Sequence, residues 1–292
     1  MSSYRQEINL FIRLTRWNDW ILNIGFILTG FFLSRPESGL YTLLLPMVVV
    51  FFFVESFGFA INDYFDAPFD KLKPATNNVI SKGLLKKSDA AVFIIFLLFF
   101  GLTFSFLYLP TSSFFLIAAL YLVFFAYSSP PFRLKEKVFL GITAHGIGIS
   151  VILLASYLIT SPLQMSVVLL SFIAIAFFLS ILVCITQEVR DMNPDRKAKF
   201  RTTAIALGYR RSLTLIRATF LLANVIFFVT VILYLPLYML LLMAGSVFYL
   251  KLLFSNPPQR TLFQKTLRSW DKGIAVAFIT GLIMLPFYLG IV

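Results

Sequence analysis

The chain has 292 residues, of which 59% are hydrophobic and 17% aromatic, while only 13% carry a charge. Soluble domains have about 25% charged residues, so this composition excludes an ordinary soluble protein and predicts a polytopic membrane protein. The formal net charge is +12, and the basic residues lie mainly in the gaps between apolar runs. Basic loops beside membrane segments are typical of contacts with lipid headgroups or a phosphorylated lipid, so nucleic acid is not expected as a partner.

Nine apolar runs come near the roughly 20 residues that a membrane-spanning helix needs. They cover residues 17–34, 39–61, 89–109, 113–127, 138–160, 163–187, 212–233, 236–254 and 272–292. The first run has no convincing small-residue cleavage site, so we expect a retained helix rather than a signal peptide. Before it, apolar and basic residues alternate with a helical period, which predicts an interfacial amphipathic helix within residues 1–16. The fold class is therefore predicted as all-α, with one transmembrane domain over residues 1–292.

Basic residues are distributed unequally between the two sides of this predicted bundle. With nine spans, 22 of the 25 Lys and Arg residues fall on one side. The positive-inside rule predicts that this side is cytoplasmic and that the protein is an integral protein of the cell membrane. The long gaps at 62–88 and 188–211 both lie on this side, and we expect them to be the functional loops.

Two acidic stretches follow the second and the sixth apolar run. The first, residues 62–70, contains Asp63, Asp66 and Asp70, and the second, residues 187–195, contains carboxylates with the same spacing at Glu188, Asp191 and Asp195. Positions i, i+3 and i+7 fall on one face of a helix, so each stretch is expected to direct three carboxylates at one point. Four spans separate the stretches, which predicts two four-helix halves related by an internal repeat, plus a ninth helix.

The residue types in these stretches favour a magnesium and diphosphate site. Carboxylates beside lipid are costly unless they are paired or bind a metal, and hard oxygen ligands suit Mg²⁺. The chain has one histidine and one cysteine, which excludes a His-based metal site. Basic residues that could neutralise a departing phosphate group surround the stretches at Lys71, Lys73, Lys82, Arg133, Lys135, Arg190, Arg196, Lys197, Lys199 and Arg201. The 35 Phe and 12 Tyr residues could shelter an isoprenoid chain.

Each of these patterns has an alternative explanation. An Asp-rich turn can be a helix cap or a solvated loop, and basic loops can serve only to fix topology. Glu55 lies seven residues before Asn62 on the same helix face, so it either points toward the site or forms a polar bond between helices. A secondary transporter with an internal repeat is the alternative function of another class. A non-catalytic assembly factor has no positive feature in the sequence.

These features resemble the UbiA superfamily of intramembrane prenyltransferases. Residues 62–70 match its first signature, NDxxDxxxD, at every fixed position, and Asp191 with Asp195 match its second, DxxxD. The segment from Tyr127 to Lys135 is similar to the family's YS-PP-RLK loop, and residues 201–208 are similar to its usual downstream run. The resemblance extends over almost the whole chain.

The resemblance implies about nine transmembrane helices around a central cavity, which the motif loops cap on the cytoplasmic side. It implies that Mg²⁺ binds a prenyl diphosphate and assists its ionisation, after which a hydrophobic acceptor attacks the allylic carbon. The expected metal ligands are Asn62, Asp63, Asp66, Asp70, Glu188, Asp191 and Asp195. The expected catalytic residues are Asp66, Asp191, Lys135 and Tyr127, and the expected substrate-binding residues are Asn62, Arg133, Lys82, Lys73, Arg201 and Glu55.

One segment departs from the family pattern. Many members follow the first signature with NRPIPSG or NRPIVRG, whereas residues 77–83 here read NNVISKG. Asn78 replaces the arginine, and Lys82 is the candidate for the missing charge. The acceptor therefore stays open among aromatic compounds, quinone precursors and lipids, with geranylgeranylglyceryl phosphate and carotenoids as alternatives within the family.

Overall fold

The computed structural model describes residues 2–71 and 77–246, together with residues 258, 261 and 262. Over these residues the chain is helical and contains no strand, as the composition predicts. The α-helices are α1 Ser2–Thr15, α2 Trp17–Trp20, α3 Ile24–Leu33, α4 Leu44–Asp70, α5 Lys87–Tyr108, α6 Thr111–Ser128, α7 Leu140–Tyr157, α8 Val167–Lys197 and α9 Thr203–Tyr234. Short 3₁₀ segments occur at Ile21–Asn23, Ser38–Leu43, Leu134–Glu136 and Leu237–Gly245.

Six helical segments of the described chain are long and apolar enough to cross a membrane. They are Gly39–Asp70, Lys87–Tyr108, Thr111–Ser128, Leu140–Tyr157, Val167–Lys197 and Thr203–Tyr234, and they correspond to the second to seventh predicted runs. The eighth run begins with the 3₁₀ segment Leu237–Gly245 and otherwise lies outside the described residues, as does the ninth. The protein is thus an all-helical, polytopic membrane protein.

The first predicted run differs from the expectation because it is not one continuous helix. Helix α1 ends where Arg16 takes a left-handed conformation, with φ of 49°. The segment that follows contains Asn18, Asp19 and Asn23, whose short polar side chains compete with helical backbone hydrogen bonds. It forms α2 and a 3₁₀ turn before the apolar helix α3 begins. The predicted amphipathic helix within residues 1–16 is present as α1.

Both acidic stretches lie on helices, as their spacing predicts, so the segments expected as loops at 62–88 and 188–211 are partly helical. Helix α4 continues beyond the end of its apolar run to Asp70, and α8 continues to Lys197. Each helix carries a proline within its last two turns, Pro68 in α4 and Pro194 in α8. Proline lacks a backbone N–H and clashes with the preceding turn, so it weakens the helix in the turn before it. The hydropathy pattern missed these extensions because a polar helix end has no apolar run.

The chain divides into two compact units, residues 1–164 and 165–292. In the first unit α4 packs against α5 and α6, and α7 packs against α3 and α6. A Cβ on Gly30 would lie 2.2 Å from the carbonyl oxygen of Leu153, so glycine is what permits the close approach of α3 to α7. In the second unit α8 packs along α9. The single domain expected over residues 1–292 stays a prediction.

Candidate active site

One cluster of polar side chains lies at the end of α4, around Asn62 and Asp66. Lys135 Nζ donates a hydrogen bond to Asn62 Oδ1 at 2.7 Å and another to Asp66 Oδ1 at 2.6 Å. Ser128 Oγ, at the end of α6, donates to the same Asn62 oxygen at 3.3 Å. Asn62 and Asp66 are four residues apart on one helix, so their side chains are neighbours. Helix geometry therefore places both oxygens within reach of one ammonium group.

Arg133 adds a second cation to this cluster. Its Nη2 lies 3.3 Å from Asp66 Oδ1, it also pairs with Glu136, and its guanidinium lies 4.9 Å from the centroid of the Phe69 ring. Arg133 has a left-handed backbone, with φ of 38°, and the 3₁₀ turn at Leu134–Glu136 follows it directly. This turn brings both cations of the segment back onto α4. Burial lowers the pKa of the Lys135 ammonium, and the Asp66 carboxylate opposes that shift.

Asp63 and Asp70 belong to a different cluster on the same helix. Arg16 Nη2 lies 2.7 Å from Asp63 Oδ1, and Arg16 Nε donates to Asp63 Oδ2 at 3.2 Å. Asn78 Nδ2 donates to the backbone oxygen of Asp63 at 2.7 Å and to Asp70 Oδ2 at 2.9 Å. The side chain of Asp63 is only 1% exposed. The protein itself therefore engages both carboxylates.

The three carboxylates of the first stretch do not meet at one point, contrary to the expectation from their spacing. At about 100° per residue, positions 63 and 70 differ by about 20° around the helix axis, whereas position 66 lies about 40° to 60° away from them. All three positions lie within about 60° of one another, so the separation comes from their partners: Asp63 and Asp70 contact Arg16 and Asn78, whereas Asp66 contacts Lys135 and Arg133. Among the described residues, no three His, Cys, Asp or Glu side chains are grouped closely enough to hold a metal ion.

The second acidic stretch, on α8, shows the same division. Glu188 Oε2 accepts a hydrogen bond of 2.8 Å from the backbone N–H of Ala204, in the first turn of α9. Asp191 receives two hydrogen bonds from Arg190, at 2.7 and 2.8 Å. Asp195 is buried, with 7% of its surface exposed. The first carboxylate thus contacts a neighbouring helix, and the middle one pairs with a basic side chain.

The remaining predicted residues are not brought into these clusters. Glu55 is 3% exposed and accepts a hydrogen bond of 2.9 Å from Asn23 Nδ2, which is the polar bond between helical segments that the sequence left as an alternative. The Tyr127 ring lies 6.3 Å from the ring of His145 on α7. Lys82 and Arg201 are exposed. Lys73 lies outside the described residues.

Arg16, Ser128 and Asn78 are residues of these clusters to which sequence reasoning gave no role. The motif segment that begins at Tyr127 contains Ser128 and could have indicated it. The departure at residues 77–83 drew attention to Asn78, but as a lost arginine rather than as a buried residue that fastens the helix end. No pattern in the sequence marks Arg16, because it is one of three arginines in an amphipathic segment.

The cluster around Asn62 and Asp66 suits a hard cation. Its acceptors are a carboxylate and an amide oxygen, the ligand types that Mg²⁺ prefers. Both oxygens lie within 2.7 Å of the same charged nitrogen, Lys135 Nζ, so both are oriented toward one positive charge. The donor set of Asn62 and Asp66 therefore fits a divalent cation bound through oxygen.

Comparison with known proteins agrees with this chemistry. Digeranylgeranylglyceryl phosphate synthase of Korarchaeum cryptofilum is 27% identical to the chain over 259 residues, which are 84% of this chain and 88% of that protein. Lycopene elongase/hydratase of Haloferax volcanii is 28% identical over 222 residues, which are 73% and 70% of the two chains. The fold is similar to that of a UbiA homolog from Archaeoglobus fulgidus solved with GPP and Mg²⁺, with a TM-score of 0.71, 19% identity, and coverage of 92% of this chain and 99% of that one. The sequence model of the UbiA prenyltransferase family matches residues 23–271, and the chain therefore belongs to that family.

Proposed function

We propose that this prenyltransferase moves a prenyl group from a prenyl diphosphate to an isoprenoid lipid acceptor and depends on Mg²⁺. The observation that carries the proposal is the contact of Lys135 Nζ with both Asn62 and Asp66, because it joins a cation to two oxygens suited to a divalent metal. Family membership supplies the reaction class. The A. fulgidus homolog, which was solved with GPP and Mg²⁺, supports the donor and the metal.

The proposed metal ligands are Asn62, Asp66, Asp70, Asp191 and Asp195. Bound Mg²⁺ supplies positive charge that stabilises the departing diphosphate. Carboxylates close to the membrane are otherwise costly, and a bound cation offsets that cost. Asp66 and Asp191 are the ligands on which we expect turnover to depend most, because Asp66 lies against both Lys135 and Arg133 and Asp191 holds the corresponding position in the second stretch.

Lys135 and Arg133 are proposed to bind the diphosphate. Both are cations that already lie against Asp66, and neutralising a departing phosphate requires positive charge in a fixed position. In the reaction the bond between the allylic carbon and the diphosphate oxygen breaks, and its electron pair leaves with the diphosphate. The acceptor's nucleophilic atom then bonds to that carbon and loses a proton. Tyr127 is proposed to line the reacting centre, where an aromatic face can stabilise positive charge on carbon.

The proposed acceptor is an isoprenoid lipid rather than a small aromatic acid. The two curated relatives are named for digeranylgeranylglyceryl phosphate synthesis and for lycopene elongation. Lys73, Lys82, Arg201 and Glu55 stay predicted substrate-binding residues. The unequal distribution of Lys and Arg supports a cytoplasmic location for the ends of α4 and α8 in the cell membrane.

The test is release of pyrophosphate by the purified protein in lipid nanodiscs. Geranyl or geranylgeranyl diphosphate is supplied with Mg²⁺ or with a chelator, and with geranylgeranylglyceryl phosphate, lycopene or 4-hydroxybenzoate as acceptor. Release that requires Mg²⁺ and one of the two lipids supports the proposal. Release with the aromatic acid alone would contradict the lipid acceptor, and Mg²⁺-independent transfer would contradict the metal site.

A further inference from the structure

The first carboxylate of each acidic stretch makes its contacts within the protein. Asp63 is almost fully buried and has both oxygens near the Arg16 guanidinium, at 2.7 and 3.2 Å. Glu188 reaches from α8 to the backbone N–H of Ala204. In both stretches this partner belongs to another helical segment of the same unit, so the same position in the two stretches carries out the same structural task.

Arg16 is the residue at which α1 ends. Its left-handed backbone, with φ of 49°, turns the chain between α1 and α2. The Thr15 carbonyl beside it accepts a hydrogen bond of 2.9 Å from the buried Trp20 indole N–H. Phe11, one turn earlier, packs against Phe93 of α5 at 5.0 Å between ring centroids. The Arg16 side chain thus attaches the end of α1 to α4 by a charged contact, while Phe11 joins α1 to α5.

Glu188 occupies a position that a helix cap would occupy. The first backbone N–H groups of a helix have no partner within the helix, and an acceptor beside them stabilises the helix start. Thr202, the residue before α9, makes no side-chain hydrogen bond of this kind. The carboxylate of Glu188, 16 residues earlier in the chain, supplies the acceptor instead. Its negative charge also suits the positive end of the helix dipole.

We propose that Asp63 and Glu188 are positioning residues: Asp63 attaches α4 to α1, and Glu188 attaches α8 to α9. Arg16 is the positioning partner of Asp63. The two carboxylates bind protein groups and are not metal ligands. The middle carboxylates, Asp66 and Asp191, remain the proposed metal ligands. This inference deepens the proposed function. Its metal-binding test rests on that function, whereas its hydrogen-exchange test requires no enzymatic activity.

The structural test is hydrogen exchange of the full chain in nanodiscs, without substrate. Arg16→Gln should raise exchange of the α1 amides at least about tenfold, because a hydrogen-bonded ion pair to a buried carboxylate is lost. Arg13→Gln is the matched control, since Arg13 is exposed on the same helix, and Arg16→Lys should restore part of the protection. Glu188→Ala should speed exchange of the first α9 amides, while Glu188→Gln should not, because the amide oxygen still accepts from Ala204. Wild-type exchange in both Arg16→Gln and Glu188→Ala would overturn the proposal.

The metal test measures Mn²⁺ binding by electron paramagnetic resonance in the presence of inorganic diphosphate. Asp66→Asn and Asp191→Asn should weaken Mn²⁺ binding by at least about tenfold, as loss of a group that shapes a metal site does. Asp63→Asn and Glu188→Gln should weaken Mn²⁺ binding less than these variants do, because neither removes a proposed ligand. Equal weakening in all four variants would overturn the assignment of positioning residues. Failure of the wild type to bind Mn²⁺ would overturn the proposed magnesium site alone, because hydrogen exchange still decides the positioning roles.

Discussion

The ends of α4 and α8 carry the same spacing of carboxylates but obtain their charge partners differently. Asp66 pairs with Lys135 and Arg133, which lie 69 and 67 residues farther along the chain. Asp191 receives two hydrogen bonds from Arg190, its neighbour in sequence, whose side chain is 44% exposed. A pair between neighbouring residues with one exposed partner contributes little, whereas a largely buried cluster of distant residues is fixed by the fold. We infer that the cluster around Asn62 and Asp66 is prearranged.

The largest expected effect comes from the two middle carboxylates. Asp66→Ala or Asp191→Ala should lower kcat by about a thousandfold, because each removes charge that acts on the transition state. Steady-state pyrophosphate release measures this effect, and the far-ultraviolet circular dichroism spectrum should stay unchanged. Asp89→Ala, at an exposed carboxylate near the start of α5, is the control and should retain full activity. Full activity of Asp66→Ala would show that the metal site is misplaced.

A smaller effect is expected from removing Lys135, the ammonium group that contacts Asp66 in the first stretch. Lys135→Ala should lower kcat/KM for the prenyl diphosphate by about a hundredfold, since it removes one charged donor from the leaving group. Lys137→Ala, two residues away and exposed, should have no effect on the same measurement. If both variants lose activity equally, the general positive charge of the loop is responsible, and the prearranged cluster has no special role.

The predictable part of the fold follows directly from hydropathy. Six of the nine apolar runs match helices that could span a membrane, because each is long enough and lacks charge. The first run is not one continuous helix because Asn18, Asp19 and Asn23 interrupt it, and an average hydropathy does not register three short polar side chains. The helical extensions to Asp70 and Lys197 were missed because an apolar run ends where the helix becomes polar.

The candidate site was predictable in its residue types and less so in its pairings. Lys135, Arg133, Asn62 and Asp66 were all named from motifs, and the structure brings them together. The spacing alone could not show that Asp63 turns to Arg16, because that pair joins residues 47 positions apart. Asn78 appeared as a missing arginine, since its role depends on burial that a sequence does not reveal.

Asn78 is expected to stabilise the first stretch without taking part in the chemistry. It is fully buried, it donates to Asp63 O and Asp70 Oδ2, and its own oxygen accepts from two backbone N–H groups. Asn78→Ala should lower the free energy of unfolding by about 3 kcal/mol, because buried polar groups lose their partners. Thermal unfolding in detergent measures the loss. Asn77→Ala, at the exposed neighbour, is the control, and equal stability of both variants would contradict this role.

The smallest expected effect concerns Gly208 in α9, the helix that follows the second stretch. Gly208 lies inside α9 with φ of 72° and ψ of 166°, a backbone conformation that only glycine adopts without strain. Gly208→Ala should lower the unfolding free energy by about 1 to 2 kcal/mol, although no atom lies within 4 Å of the added methyl position. Gly25→Ala is the matched control, because Gly25 is helical and has equally open space around its Cβ position, so alanine should be neutral or stabilising there. Gly208 is the point at which α9 is kinked, because its backbone is not helical. If Gly208→Ala were as stable as this control, the kink between the start of α9, which Glu188 contacts, and the rest of that helix would not require glycine.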